Sequence, residues 1–335
     1  MKTKKYATIG LLSAVALLVN GCAQTAAASP EQFTFDIANS TINHNLSSGS
    51  GMVMHNGELI VAGDDSPWLF TVNHDFKIEK KALIDNFPVN AQKRINHKIK
   101  PDFESMTMID YNNQPYYFVI GSGSKKTLRE NAYLIPVNGG ENQKLSLSNL
   151  YAQLHQSAGF TQEQKINIEG IANTANEIFI FNRGNEGKNA IFAMKTTDLM
   201  QYLEGKSTTL PSLKVYQAQL PTINGVQACF SGADYWKDNN SLIFTASVEG
   251  NNQSSVNDGA IQGSFVGVLP LQTLENTSVL NLIPYSQEIE HAGKAVITKI
   301  ESIAVATQTK QQANGYIVSD NDNGTSQFFT FTIDK

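Results

Sequence analysis

Five segments of this chain begin alike and recur at intervals of 54–70 residues. Each starts with Ser or Glu, continues with Gly or Ser, and then alternates apolar residues before a turn and a second apolar strand. The five starting residues are Ser50, Glu104, Glu169, Ser231 and Glu301. A repeat of this length built only from strands is typical of a β-propeller, in which each repeat forms one blade around a central axis. The repeat therefore predicts an all-β fold whose starting residues form a ring.

Period-two alternation between Gly, Asn and Asp turns predicts four strands in each of the first four blades and three in the fifth. The fourth strand of blade four is expected at 278–284, and short helices are expected at 147–156 and 198–203. An alternating segment at 32–37 supplies the strand that the fifth blade lacks. Pairing it with the end of the chain leaves no open sheet edge. The sequence thus predicts a five-bladed β-propeller closed by its N-terminal strand, with residues 32–335 forming a single domain.

The first 21 residues have the pattern of a secretory signal peptide. Three lysines precede an apolar run from Ala7 to Val19, and Gly21-Cys22 follows that run. A basic start, an apolar core and a small residue before the cleavage point characterise exported proteins. Because a Cys follows the small residue, we predict a lipoprotein signal peptide at 1–21, a lipid on Cys22 and a flexible tether at 22–31. Ala23 favours sorting of the lipoprotein to the bacterial outer membrane.

Charge and cysteine content narrow the classes of partner. Removing the signal peptide takes away three lysines and no acid, so the formal charge of −5 becomes −8. An acidic exported domain argues against nucleic acid as a partner, and we expect a monomer.

Cys229 is the only cysteine besides Cys22, so we expect no disulfide and a buried apolar role for this thiol. Both tryptophans, Trp68 and Trp236, lie in predicted strands and are expected in the core.

The ring contains three carboxylates, which repel one another unless protons or a cation neutralise them. A hard divalent cation is the natural partner, because Ca²⁺ accepts about six to eight oxygen ligands in irregular geometry. The alternative is that each glutamate only accepts hydrogen bonds from backbone amides at a blade junction. Three glutamates at equivalent places favour the metal. The predicted Ca²⁺ ligands are Ser50, Glu104, Glu169, Ser231 and Glu301.

Polar residues follow the second strand of each blade, at the same mouth as the ring. They include Asp64 and Asp65 in blade one, Lys125 in blade two and Arg183 in blade three. Beside a bound cation, either aspartate could orient a water molecule as base, and the two basic residues could balance developing negative charge. We therefore predict these four as catalytic residues if the protein is a hydrolase, and expect Asp65 and Arg183 to be solvated.

The ring order Ser, Glu, Glu, Ser, Glu resembles that of the calcium-dependent apyrases, the soluble calcium-activated nucleotidases. The resemblance also includes Asn56-Gly57 followed by Asp64-Asp65, the Gly-rich turn before Lys125, and Arg183. It implies a five-bladed propeller with one Ca²⁺ in the central channel and hydrolysis of nucleoside diphosphates. Ile168-Glu-Gly-Ile-Ala and Val318-Ser-Asp-Asn-Asp give a looser similarity to exported propellers described as phytase-like or esterase-like.

Three functions remain open on the sequence. The first is calcium-dependent hydrolysis of a phosphoanhydride or phosphoester, with a small phosphorylated ligand as substrate. The second is a non-catalytic module that binds a glycan, peptide or partner protein and uses Ca²⁺ structurally. The third is a lactonase or esterase, in which the ion would polarise a carbonyl group.

Overall fold

A computed structural model describes residues 32–250, 259–275 and 277–335 of the chain. The predicted signal peptide at 1–21, the lipid site at Cys22 and the tether at 22–31 lie outside the described residues. Within the described ranges, no helix is long and apolar enough to cross a membrane.

Five sheets, antiparallel except for one edge pairing in blade 3, account for most of the described chain, and they are the five blades of a β-propeller. The first strand, β1 (Thr34–Asn43), belongs to the last blade. Blade 1 contains β2 (Gly49–His55), β3 (Glu58–Gly63), β4 (Trp68–Val72) and β5 (Ile78–Leu83). Blade 2 contains β6 (Phe103–Tyr111), β7 (Gln114–Gly121), β8 (Asn131–Pro136) and β9 (Gln143–Ser146), and helix α1 (Ser148–Ser157) follows it.

The remaining blades are built in the same order from the axis outward. Blade 3 contains β10 (Ile168–Asn173), β11 (Glu177–Asn182), β12 (Ala190–Lys195) and β13 (Lys214–Gln219), with helix α2 (Thr196–Leu203) between the last two. A small hairpin, β14 (Thr222–Ile223) and β15 (Val226–Gln227), precedes blade 4. Blade 4 contains β16 (Cys229–Trp236), β17 (Ser241–Glu249), β18 (Ile261–Pro270) and, after β19 (Val279–Asn281), β20 (Ser286–Glu288).

A second hairpin, β21 (Glu290–His291) and β22 (Lys294–Ala295), leads into blade 5. Blade 5 contains β23 (Lys299–Gln308), β24 (Gln312–Asp320), β25 (Ser326–Asp334) and β1. In the connections that the structure describes, single-turn 3₁₀ helices lie at Gly184–Glu186, Lys237–Asn239, Leu271–Leu274 and Ile283–Tyr285. The innermost strands β2, β6, β10, β16 and β23 contact one another in sequence, and β23 contacts β2, which closes the ring.

The apolar runs have a simple cause, because each blade is covered on both faces. Successive side chains of a strand point to opposite faces. In β3, Leu59 and Val61 pack into the core between blades 1 and 5, whereas Ile60 and Ala62 pack into the core between blades 1 and 2. Each of the five apolar clusters fills the space between two neighbouring blades in the same way.

Closure by the N-terminal strand is confirmed. β1 pairs antiparallel with β25, in a register that places Thr34 opposite Asp334 and Phe35 opposite Ile333. Phe35 and Ile37 are buried between blades 4 and 5. The Phe35 ring stacks on Phe331 at 5.6 Å between centroids. The first and last segments of the domain therefore share one sheet.

One predicted strand belongs to a different blade. The segment expected as the fourth strand of blade 4 forms β19, which pairs in parallel with β13 and adds a fifth strand to blade 3. The fourth strand of blade 4 is β20, which pairs with β18. β20 is the polar segment Ser-Gln-Glu, without apolar alternation, so the sequence pattern did not indicate it as a strand. Both predicted helices are present, as α1 and α2.

The closing strand generates a stability prediction. Replacing Phe35 with Ala leaves a cavity between two blades, so we expect a loss of about 3–5 kcal/mol in the free energy of unfolding. Asp36 lies between two buried residues but is exposed, and Asp36→Ala should change that free energy by less than about 0.5 kcal/mol. Urea denaturation of both variants measures the difference. Equal effects of the two substitutions would contradict closure through β1.

Candidate metal centre

The innermost strand of every blade carries a β-bulge at the same position. The register slips between Gly49 and Gly51 in blade 1, and equivalent slips occur in the other four blades. The skipped residues are Ser50, Glu104, Glu169, Ser231 and Glu301. A bulged residue is released from the ladder and its side chain is re-aimed, which is why bulges recur beside functional sites. The predicted ring residues are thus the five bulged residues of the propeller.

Three of these residues meet at the axis. Carboxylate oxygens of Glu104, Glu169 and Glu301 all lie within 4.8 Å of one another. Together with Ser50 they line a cavity of about 360 Å³ that opens at one mouth of the propeller. Ser231 does not line this cavity, and its hydroxyl donates to the hydroxyl of Thr245 at 3.1 Å. The structure therefore brings together the three predicted glutamates and one of the two serines.

Cationic side chains surround the carboxylates. Lys299 lies 3.0 Å from Glu301 and 3.3 Å from Glu249. Arg183 pairs closely with Glu249 and lies 3.6 Å from Glu169. These two cations are buried between the carboxylates of blades 3, 4 and 5, so the pairing compensates much of the cost of removing those charges from water.

A second group of cations comes from blade 2 and the long connection before it. Lys100 pairs with Asp64 and lies 2.7 Å from Asp102. Arg129 also pairs with Asp102, at 2.6 Å, and Arg94 pairs with Asp65 at 2.5 Å. Arg94, Lys100 and Arg129 line the cavity and retain partial exposure.

Even with these pairs, the site carries an excess of negative charge. Nine carboxyl groups line the cavity or pair with its cations: Asp64, Asp65, Asp102, Glu104, Glu169, Glu249, Glu301, Asp320 and Asp322. Five cations face them: Arg94, Lys100, Arg129, Arg183 and Lys299. If every group is ionised, four negative charges are left over. Protons or bound cations must supply the difference.

The pKa values show where protons are held in the absence of a metal. Burial, reinforced by repulsion from Glu169 and Asp102, raises the pKa of Glu104 well above its usual range. Burial also raises the pKa of Glu301 well above that range, against the opposing effect of Lys299. It raises the pKa of Glu169 to about 7 and that of Asp320 to about 6. The carboxyl groups at the axis are therefore the ones that a cation would relieve most.

The donors fit a hard metal ion. The side chain of Glu301 is only 4% exposed, and its Oε2 is buried without a hydrogen-bond partner. Glu104 makes no hydrogen bond or ion pair with any residue in the described ranges, while Glu169 keeps an oxygen bonded to Asn167 at 2.8 Å. A buried carboxylate oxygen without a partner costs free energy, which coordination of a cation would recover. These three glutamates could hold a metal ion at the floor of the cavity.

The four predicted catalytic residues lie in different surroundings. Asp64 and Arg183 line the cavity. Asp65 lies behind the cavity wall, where it pairs with Arg94 and accepts a hydrogen bond from Ser47 at 3.0 Å. Lys125 is exposed outside the cavity, with Nζ 3.4 Å from the carbonyl oxygen of Lys98. The structure thus brings two of the four to the cavity.

The expectation that Asp65 and Arg183 are solvated is wrong, since they are only 5% and 4% exposed. Each is held by an ion pair inside the wall. Removing Arg183 would leave the buried carboxylate of Glu249 with Lys299 as its remaining counter-ion, and loss of one partner of a buried pair typically costs about 3–5 kcal/mol. Removing Asp65 should cost less, because its partner Arg94 is 34% exposed and stays partly solvated. Substitution at these positions therefore changes stability as well as any activity.

Sequence reasoning did not identify Arg94, Lys100, Arg129 and Lys299 as residues of the site. Lys299 precedes Glu301 by two residues in the fifth repeat, so its place in the alternating pattern could have indicated it. Arg94 and Lys100 lie in the long connection between blades 1 and 2, and Arg129 lies in the connection between β7 and β8, where the repeats share no sequence pattern. No periodic signal marks such positions.

The raised pKa of Glu169 leads to a pH prediction for the metal-free protein. The unfolded chain releases this proton near pH 4.5, whereas the folded state holds it until about pH 7. The free energy of unfolding should therefore fall as the pH rises between these values. Urea denaturation in chelator from pH 5 to pH 8 should show a shallower fall for Glu169→Gln than for the parent. The exposed substitution Glu141→Gln should follow the parent, and identical profiles for all three proteins would contradict the assignment.

Solved structures with a similar backbone trace show little sequence similarity to this chain. Glutaminyl cyclase from Myxococcus xanthus is 11% identical, with a TM-score of 0.43 over 91% of this chain and 98% of that one. The catalytic domain of the GH62 α-L-arabinofuranosidase from Coprinopsis cinerea is 10% identical, with a TM-score of 0.46 over 90% of this chain and 98% of that one. Neither similarity bears on substrate or mechanism.

No curated protein matches the chain in sequence. One family model does match, over residues 45–333, which include all five innermost strands and the cavity between them. The chain belongs to the family of unknown function DUF6929.

Proposed function

We propose that this protein is a calcium-dependent hydrolase of phosphoanhydride or phosphoester substrates. The observation that carries the proposal is a single cavity that combines a three-glutamate cluster with partly exposed basic side chains. Carboxylates hold a divalent ion, and basic groups bind phosphate oxygens. The ring order Ser, Glu, Glu, Ser, Glu, which resembles that of the calcium-dependent apyrases, supports the same proposal.

Ca²⁺ suits the donors of the cluster better than the other common divalent ions. Glu104, Glu169 and Glu301 offer oxygen only, and they come from three different blades. Ca²⁺ tolerates irregular shells, whereas Mg²⁺ demands a compact octahedral one. When bound, the ion would polarise an oxygen of the substrate. Ser50 lines the same cavity and is the remaining ring residue that could contribute an oxygen.

The residues above the glutamates divide into binding and proton-accepting groups. Arg94, Lys100 and Arg129 are placed to hold phosphate oxygens, although each also contacts an aspartate. Asp64 binds Lys100 through Oδ2 and leaves Oδ1 without a hydrogen-bond partner. Asp64 lines the cavity, so we propose it as the acceptor of a proton from an attacking water molecule. Asp65, held by Arg94 and Ser47, would stabilise the wall rather than take part in chemistry.

A second candidate function follows from the charge of the cavity. One divalent ion reduces the excess from four negative charges to two, so an uncharged substrate would enter with less repulsion than a phosphate. This observation favours a lactone or ester, whose carbonyl oxygen the ion would polarise. A binding module with structural Ca²⁺ is the outcome if no substrate is hydrolysed.

The signal sequence completes the proposal. We infer that the chain is exported, that Cys22 is lipidated, and that the propeller is a monomer held at the bacterial outer membrane. The basis is the Gly21-Cys22 pair behind the apolar run, with Ala23 after it. The acidic composition supports an exported domain that does not bind nucleic acid.

Calcium binding should stabilise the folded state. An ion that binds only the folded protein adds about 2.7 kcal/mol at a hundredfold excess over its dissociation constant. Chelation should then lower the melting temperature by roughly 5 °C, and Mg²⁺ should restore little of it. Glu301→Gln should bind Ca²⁺ weakly in calorimetry and be less sensitive to chelator, whereas Glu141→Gln should behave as the parent. A parent melting curve that chelator does not move would exclude the metal.

Hydrolysis separates the candidate functions. Release of phosphate from nucleoside diphosphates and aryl phosphates, and opening of lactones, should each be measured with Ca²⁺ and with chelator. If Asp64 accepts the proton, Asp64→Asn should lower kcat by about 10²–10⁴-fold. The exposed substitution Asp75→Asn is the matched control. Calcium-dependent turnover of lactones alone would favour the second candidate, and calcium binding without any turnover would favour the binding module.

A further inference from the structure

A second cavity, of about 220 Å³, lies where the first and last blades meet. Its walls come from the segment after β1, from strands β4 and β5, from the connection between blades 1 and 2, and from a loop of blade 5. The side chains that define its chemistry are His44, Trp68, Phe70, Lys81 and Lys93. None of the predicted site residues lines it.

Two aromatic rings form one wall of this pocket. Trp68 and Phe70 are two residues apart on β4, so their side chains lie on the same face of blade 1. Trp68 is only partly buried, whereas Trp236 is fully buried and donates from its ring nitrogen to the carbonyl oxygen of Thr309. The expectation of a core position is thus met by Trp236, and Trp68 keeps part of its ring open to the pocket.

Two lysines lie beside these rings. Lys81 faces Phe70 across the strand pair β4–β5. Its Nζ lies 4.9 Å from the centroid of Phe70 and 5.7 Å from that of Trp68. Partial desolvation, reinforced by repulsion from Lys93, lowers the pKa of Lys81. Neither lysine forms an ion pair with any acid in the described part of the chain, and no acid lines the pocket.

The pocket therefore differs in charge from the neighbouring cavity, where every cation has a carboxylate partner. Two ammonium groups without acidic partners, next to an open aromatic ring, attract an anion through charge and a planar group through stacking. The chain as a whole has a formal charge of −5, so the charge of this pocket is opposite in sign to that of the protein.

The two cavities share a wall. Arg94 follows Lys93 in sequence and lines the first cavity, while its guanidinium holds Asp65 in the wall. Ser47, which lines the second cavity, donates to the other oxygen of Asp65. The two cavities are thus adjacent, with Asp65 and its two partners between them.

We propose that this second pocket binds an anionic group carried on a planar ring. The second part of this proposal rests on the proposed function: the second pocket binds the part of the substrate that is remote from the metal. The first cavity keeps an excess of negative charge even with a divalent ion, so the remote charge of an anionic substrate is better placed beside Lys81 and Lys93. The predicted substrate is a molecule with two separate parts: a scissile bond that lies in the first cavity and a planar anionic group that lies in the second pocket.

Trp68 supplies the signal for a direct test. Phenyl phosphate, inorganic phosphate and benzyl alcohol are titrated in chelator against the full domain, with tryptophan emission and calorimetry as readouts. We expect phenyl phosphate to change the emission saturably and to bind more tightly than either fragment. Trp68→Phe should keep the calorimetric signal and lose the change in emission, because Trp236 is buried away from solvent.

The lysines provide the matched comparison. Lys81→Gln and Lys93→Gln should each weaken phenyl phosphate binding by roughly two- to fivefold, the effect of one partly exposed charge. Lys80→Gln, one residue away on the same strand and outside the pocket, should leave the affinity unchanged. Absence of saturable binding, or equal affinities in all three variants, would overturn the proposal.

The test is independent of the proposed hydrolysis. Glu169→Gln should lose Ca²⁺ binding and retain phenyl phosphate binding in chelator, because Glu169 does not line the second pocket. Binding of phenyl phosphate without any calcium-dependent turnover would refute the hydrolase and leave the pocket standing. Turnover without binding at the pocket would refute the pocket alone.

Discussion

Carboxyl groups from all five blades crowd around the axis of this propeller, and their mutual repulsion constrains everything built around them. The β-bulges aim Glu104, Glu169 and Glu301 at one point, so their oxygens approach within 4.8 Å. Buried like charges at that separation cannot all stay ionised without compensation. Five cations compensate part of the charge, and protons or a metal ion must supply the rest. We therefore expect the stability of the domain to depend on pH and on metal binding.

The same constraint explains the two kinds of cation in the site. Arg183 and Lys299 lie between carboxylates of different blades and are almost completely buried. They act as fixed counter-ions that link blades 3, 4 and 5. Arg94, Lys100 and Arg129 lie nearer to solvent, on the side of blades 1 and 2. Only this second group is placed to exchange part of its interaction with an aspartate for one with a ligand.

Charge is distributed unevenly between the two cavities at the mouth. The axial cavity is acidic overall and suits a cation, whereas the pocket beside Trp68 has two lysines and no acid. The ion pair between Arg94 and Asp65 separates them. Under the proposed function, one ligand would place its polarised oxygen in the axial cavity and its anionic end in the pocket beside Trp68.

The sequence by itself determined the blade number, the closure through β1 and the convergence of the three glutamates. These features repeat along the chain, and symmetry about an axis converts a repeated position into a ring. The tertiary structure alone decided that β19 joins blade 3, that Asp65 and Arg183 are buried, and that Lys100 and Arg129 reach the site. These features depend on where unrepeated loops and edge strands come to rest. Their positions follow from packing and charge pairing between distant segments, for which local alternation carries no signal.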